Sequence, residues 1–328
     1  MHPCLPGEFE RQSAILLDCN ELALHHPQAM VEVIGSLVGH IPIIVTIDSE
    51  DRRQHLITLL CDWGVATQGL HYVCLPARGV WMREYGPGFV RGADERFSIV
   101  DAGKCDPPDE AAVELAKLLR VPVRKPPLTV DGSNLISNGR GLCIATTRLL
   151  EQNQHRGYDE PSVRALLKEF YGCTQCIFLE PLLSEPSGHV DLFAAFIAPD
   201  TLMLGEYAPG VDPANAQVLE RDAELLSRVR VGSAPLNVVR IPMPSNAGGI
   251  WRTYTSIIFG NGRLLVPRYA ECNGSHELRA MQLYASLLRG WEIVAVDVTT
   301  MAQCRGTLRG ASINIPFMGD SQTTGLHL

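Results

Sequence analysis

The order of elements in this chain repeats, and that repetition restricts the fold more than any single residue does. Three segments each carry two short apolar strands around a tight turn, an amphipathic helix and one more strand. "GFVRGADERFSIVDA" at 88–102 turns at Ala93 to Glu95 and runs on into "EAAVELAKLLR", with helical spacing, and "VPVRKPPLTV", which is strand-like. "NLISNGRGLCIATT" at 134–147 turns on Asn138-Gly139, a strong hairpin signal, before "VRALLKEFYG" and "TQCIFLE". "HVDLFAAFIAPDTLMLGEY" turns at Pro199-Asp200 and leads to "AQVLERDAELLSRV" and "LNVVRIPMP". A fourth copy follows: "YTSIIFGNGRLLVPRY" turns at Asn261-Gly262, then come "ELRAMQLYASLLRG" and "WEIVAVDV".

The pieces left over sit at the two ends. "ASINIPF" and "SAILLDC", with "QAMVEVIGSLVG" and "IPIIVTID", complete a fifth unit if the termini pair, and "RQHLITLLCDWGV" to "HYVCLP" adds one further helix and strand. A period of roughly 45 to 65 residues marks an array of supersecondary units. Pairing of the ends favours a closed ring, hence one α/β domain over residues 1–328. The Pro-rich pieces at 122–127 and 181–186 read as short connectors.

Composition excludes several function classes. The formal net charge is -8 with 20% charged and 46% apolar residues, and no Lys/Arg cluster stands out, so neither nucleic acid nor an anionic membrane is an expected partner. No apolar run reaches the ~20 residues of a membrane span, and "MHPCLPGEFERQ" lacks the regions of a signal peptide. A cytoplasmic address is expected, and a homo-oligomer stays possible. The 10 cysteines are scattered, mostly in apolar segments, and are expected to be reduced and buried. Cys173-x-x-Cys176 lacks a second pair, which makes a zinc site a weak reading; neither a metal nor another cofactor is expected.

Polar, Gly-rich oddities collect where one unit runs into the next: "VWMREYGPG" (80–88), "VDGSN" (130–134), "SGHVD" (187–191), "SNAGGIWRTY" (245–254) and "GTLRGAS" (306–312). Equivalent points of a cyclic array face a common axis. These five segments are therefore expected to meet in one central pocket holding Glu84, Asp131, His189 and Asp191. If 188–193 is a strand, the His189 imidazole and the Asp191 carboxylate share a face. Three carboxylates and an imidazole are costly to bury without a cationic ligand or partner. Each has a plain alternative: a salt bridge to Arg83 for Glu84, turn chemistry for Asp131, a satisfied core pair for His189 and Asp191, and a packed wall for Trp81.

"WMREYGP", "DGSN", "SGHVDLFAAF", "YTSIIFGNGRLLVPRY" and "GTLRGASINIP", in this order, resemble the agmatine deiminase and bacterial-type peptidylarginine deiminase family of guanidino-modifying proteins over nearly the whole chain. The resemblance implies a five-bladed pseudo-symmetric α/β propeller, the pentein fold, and a setting near polyamine biosynthesis. It implies that Glu84 and Asp131, with Trp81, hold a guanidinium, and that His189 and Asp191 serve proton transfer and substrate contact. Both carboxylates depart in length from the family pattern, Glu84 standing for Asp and Asp131 for Glu. The larger departure is at the end, where the family reads roughly Gly-Ala-Leu-His-Cys-Val-Thr: Arg309 takes the place of the histidine and Gly310 that of the nucleophilic cysteine. Glycine has no side chain with which to attack.

Replacements for that thiol are poor. Cys304, expected to be buried and structural, lies up to ~20 Å upstream if the segment is extended. Ser312 is an unactivated hydroxyl whose plain role is a structural hydrogen bond. On a strand Arg309 would face away from Gly310, but a bent backbone would let its guanidinium pair with Glu84 or Asp131 and fill the substrate slot. Two accounts lead: an enzyme acting on a guanidino or amine compound with His189 as non-covalent acid/base, and a silent homologue that binds such a compound for regulation. The retained polar groups favour the first, which is the expectation here, and the missing cysteine favours the second as its alternative. A third makes His189, Asp191 and another carboxylate ligands of a divalent metal.

Overall fold

The structure, a computed structural model, describes residues 3–74, 79–101, 110–272 and 274–319. The "FGNGRLL" stretch shows how local chemistry builds the repeated unit. Asn261 and Gly262 adopt φ of 52° and 101°, the left-handed conformation a two-residue hairpin loop demands. Ile258–Phe259 and Arg263–Arg268 are thereby folded antiparallel, with Phe259 opposite Leu264. Helix Gly274–Leu287 carries the chain back over the sheet, and Glu292–Asp297 adds parallel to Arg263–Arg268.

The same plan recurs. Gly88–Arg91 and Phe97–Val100 form a hairpin that Val123–Arg124 joins in parallel, with helix Glu110–Leu119 between. Ile136–Ser137 and Leu142–Thr146 take Gln175–Leu179 after helix Glu160–Tyr171, which Asp159 caps by accepting from the Ser162 N–H and Gly172 ends at φ 68°. Ala194–Ala198 and Thr201–Glu206 take Asn237–Pro242 after helix Pro213–Ser227. In a four-stranded sheet residues from the two ends meet: Ser312–Pro316 runs antiparallel to Gln12–Asp18, and Ile43–Ile47 and Leu70–Cys74 follow in parallel. The Asn261 side chain pins this junction, accepting from the Gln12 N–H at 2.8 Å and donating to the Gln12 carbonyl at 2.8 Å.

Apolar runs explain the depth of these strands. Gln12–Asp18 is buried at every position. Ile15 and Leu17 pack into one core with Ile43 and Val45, while Ala14 and Leu16 pack into another with Ile313 and Ile315. A strand covered on both faces has to be apolar throughout, as this one reads. No helix among the described residues is long and apolar enough to cross a membrane.

Short helical turns precede the hairpins: Met82–Tyr85, Gly132–Asn134, Val190–Leu192 and Arg309–Ala311 lie directly ahead of their strands, and Ala247–Gly249 stands further from its own. Two expectations change here. Residues 190–192 are a 3₁₀ turn and not a strand, so His189 and Asp191 are not related by strand alternation. Arg309 and Gly310 likewise lie in a turn, which frees the arginine to swing inward. The cysteines also differ: Cys143 and Cys173 are disulfide-bonded, their Cα atoms 5.7 Å apart because the Gly172 cap drops Cys173 beside the strand carrying Cys143. Cys304, at the end of the turn Thr299–Gln303, is exposed and not buried.

Candidate functional site

Arg309 organises the centre of the molecule. Its backbone is held by the Ser256 Oγ, which accepts from the Arg309 N–H at 3.0 Å, and its carbonyl accepts from the Ser312 Oγ at 3.2 Å and from Arg83 Nε at 3.0 Å. Arg309 is 4% exposed, and its guanidinium reaches in between two carboxylates. Nε and Nη2 donate to Glu8 at 2.8–3.1 Å, and Nη1 donates to Asp191 Oδ2 at 3.1 Å. The carbonyls of Gly132 and Leu135 accept the remaining bonds at 3.2 and 3.4 Å. Planar, delocalised and forked, an arginine head suits such a fully bonded burial.

Arg83 shares the same acid. Its Nη1 donates to Glu8 Oε1 at 2.6 Å and its Nη2 to Asn314 Oδ1 at 3.3 Å. The layer thus holds two guanidiniums and two carboxylates. Burial disfavours ionisation of Glu8, but Arg309 and Arg83 outweigh it and hold the carboxyl below its ordinary range. For Asp191 burial wins and pushes it up, although Arg309 and His189 oppose. Arg83 is lowered to about 10 by burial and by the neighbouring Arg309, with Glu8 and Asp191 opposing. Arg309 is raised, since Glu8 and Asp191 more than offset its desolvation.

A second pair stands beside the layer. His189 Nε2 lies 2.9 Å from Asp131 Oδ2, while Asp131 Oδ1 accepts from the Ser133 N–H at 2.9 Å, which fixes the carboxylate at the head of the Gly132–Asn134 turn. Burial alone would lower the imidazole; Asp131, then Asp191 and Glu84, more than reverse this and raise it. The pair is positioned by Asn134, whose Oδ1 accepts from the Thr146 N–H, the Thr146 hydroxyl and the Val190 N–H. Trp81 forms a wall: its indole lies 5.9 Å from the His26 ring, and a Cβ added to Gly306 would collide with it. A Cβ built on Gly310 would lie 3.8 Å from Trp81 and 3.0 Å from Thr307 Oγ1. Gly310 has no positive φ, so its backbone does not require glycine.

The expected side chains are therefore brought together with different partners. His189 bonds to Asp131 rather than to Asp191, and Asp191 bonds to Arg309. Arg309 does bend inward, but it pairs with Glu8 and Asp191, not with Glu84 or Asp131. Arg83 pairs with Glu8. Ser312, fully buried, has the structural role. Of the 245–254 segment, Ala247 to Gly249 stay exposed, and contact comes from just beyond it: Thr255 Oγ1 donates to the Asp191 carbonyl at 2.8 Å. Glu8 escaped sequence reasoning altogether. The signal that would have found it is charge: two arginines at one buried centre need acids, and "PGEFE" offers one close to the strand that closes the chain. Among the described residues, no group of three His, Cys, Asp or Glu side chains is placed to hold a metal ion.

The model of Porphyromonas-type peptidyl-arginine deiminases matches residues 4–316. The chain belongs to that family. This deiminase-family chain is 21% identical over 309 residues to a Legionella pneumophila protein named "Putative agmatine deiminase", covering 89% of this chain and 85% of that one. A Streptomyces coelicolor protein of the same name is 26% identical over 243 residues, 67% of this chain and 71% of its relative. The agmatine deiminase of Enterococcus faecalis superposes with a TM-score of 0.83 at 17% identity, over 97% of this chain and 96% of that one. A cysteine-to-serine variant of the C. jejuni agmatine deiminase, with substrate bound, superposes at 0.79 and 16%, over 95% and 96%. At such identities the superpositions establish a shared fold, α/β in class.

Proposed function

We propose that this deiminase-family chain is a catalytically silent homologue that binds a small guanidino or amine cation, as one domain of five pseudo-symmetric α/β blades. The observation that carries this reading is the Arg309 guanidinium bonded to Asp191 and Glu8. A guanidinium supplied by the protein itself consumes the carboxylate that a substrate would need. Gly310, which we read as the nucleophile position, offers no atom to form a covalent intermediate, and covalent deimination requires one. The contacts we assign to a ligand are Glu84, the Trp81 face and the His189–Asp131 pair.

One feature favours the second reading, an enzyme working by non-covalent acid/base chemistry: His189 keeps a carboxylate at 2.9 Å and a raised proton affinity, as a proton carrier needs. The two readings separate in one experiment. The protein is incubated with agmatine and arginine while ammonia, urea and citrulline-type products are followed, and binding is measured by calorimetry. The silent reading expects saturable agmatine binding, no product, and roughly tenfold weaker binding in Glu84→Gln, the loss of one charge-assisted hydrogen bond. Ammonia release by the unmodified chain, lost in His189→Gln, overturns it in favour of the enzyme. Gly310→Cys alone is expected to stay silent because Arg309 still holds Asp191. The double variant Arg309→His/Gly310→Cys is the form in which activity is expected to reappear.

A further inference from the structure

A separate cavity of about 110 Å³ lies against the Arg83–Glu8–Arg309 layer. Glu8, Arg83, Gly132 and Arg309 line it, whereas Glu84, Asp131, His189, Asp191, Trp81 and Gly310 do not. Its walls are apolar, with Phe89, Ile136, Phe196 and Phe259 each supplied by the first strand of a different hairpin and Ile313 by Ser312–Pro316. Leu5, Pro6, Gly86 and Gly88, all partly exposed, form the edge toward solvent. The enclosed volume falls short of the about 150 Å³ cavity that takes benzene, so a ring seated here keeps one end at the partly exposed edge.

We propose that this cavity is a second ligand site, taking a small apolar carboxylate whose anionic end meets Arg83. The walls account for the apolar body, and the charged layer accounts for the head. Arg83 and Arg309 both bond to Glu8 Oε1, so two guanidiniums share one acid on this side, while Asp191 lies on the other side of Arg309. The hydrogen bonds of Arg83 among the described residues use three of its five N–H groups, those to Arg309 O, Glu8 and Asn314. A buried cation with donors to spare, next to another cation, gains from an added anion. Its lowered affinity for the proton, about 10, has the same origin. The proposal does not depend on what the His189 site binds.

The test uses the whole chain with isoleucine methyl groups labelled for NMR. Ile136, Ile257 and Ile313 line the cavity and report on it. Benzoate is titrated beside benzyl alcohol and benzylamine, which share its ring but carry a neutral or a cationic end. Saturable shifts of the Ile136 and Ile313 methyls by benzoate are expected, at least about tenfold tighter than for benzyl alcohol, as one charge-assisted hydrogen bond gives, with benzylamine weakest. Ala195→Leu, which fills the cavity from its wall, is expected to abolish the shifts. Should that variant fail to fold, the ranking of the three probes on the unmodified chain still decides. Benzoate leaving these methyls unmoved at about 50 mM, against the roughly millimolar affinity that even modest burial gives a small ligand, overturns the proposal. So does benzyl alcohol or benzylamine binding as well as benzoate.

Discussion

Replacing Arg309 with alanine removes the guanidinium that bonds to both Glu8 and Asp191. Asp191 is 1% exposed and its Oδ1 already has no hydrogen-bond partner among the described residues, so the variant leaves a buried carboxylate without its cation. Breaking a buried pair from one side costs about 3–5 kcal/mol. At about 2.1 cal/mol/K per residue, a chain of 328 residues unfolds with an entropy near 0.7 kcal/mol/K, so Tm falls by about 4–7 °C. The hole left behind has the shape of guanidinium. If the free ion binds there with a Kd of about 1 mM, 20 mM returns RT ln 21, about 1.8 kcal/mol, or some 2–3 °C. Its denaturing action at that concentration is only about 0.1 kcal/mol. Thermal melts of both proteins in 20 mM guanidinium chloride and in 20 mM sodium chloride check this. A variant melting within about 1 °C of the parent, or an equal guanidinium response in both, refutes the idea that Arg309 fills a guanidinium slot.

Two further outcomes follow from the site. His189 is raised in the folded state because Asp131, Asp191 and Glu84 together outweigh its burial, so its stabilisation is whole below its ordinary value near 6.5 and is lost as pH climbs through the raised folded value; the difference in Tm between the parent and His189→Gln should shrink over that window, and a constant difference would count against the ion pair. Gly306→Ala drives a Cβ into the Trp81 ring, which should cost about 1–3 kcal/mol or more by overpacking; chemical denaturation measures it, and Trp81→Leu in the same chain should recover most of the loss.

The unit plan was legible because it rests on local chemistry. Asn261-Gly262 sets its hairpin with two left-handed residues, and the apolar periods around it fix which faces are covered. Pairing of the ends was also readable, since "SAILLDC" and "ASINIPF" were apolar strands lacking other partners. Of the candidate site, the approach of Asp131, His189, Asp191 and Arg309 to one another was legible, but not their wiring. The strand assumption for 188–193 and 309–312 made side chains two apart share a face, whereas 3₁₀ turns send them about a third of a turn around for each residue. That one difference gives His189 to Asp131 and sends Arg309 to Asp191. Glu8 could not be placed by pattern, because it lies in an N-terminal arm with no period and acquires its role from arginines 75 and 301 residues away.

The joining of the chain's two ends has a consequence for biosynthesis. Glu8 leaves the ribosome 301 residues ahead of Arg309, so the acid waits through the synthesis of that whole stretch for its cation. The strand beside it, Gln12–Asp18, waits as long for Ser312–Pro316. Contacts of such length in sequence are slow to form. A polypeptide cut short before Arg309 lacks the guanidinium for both acids and the strand that pairs with Gln12–Asp18, so the centre and the ring fail together.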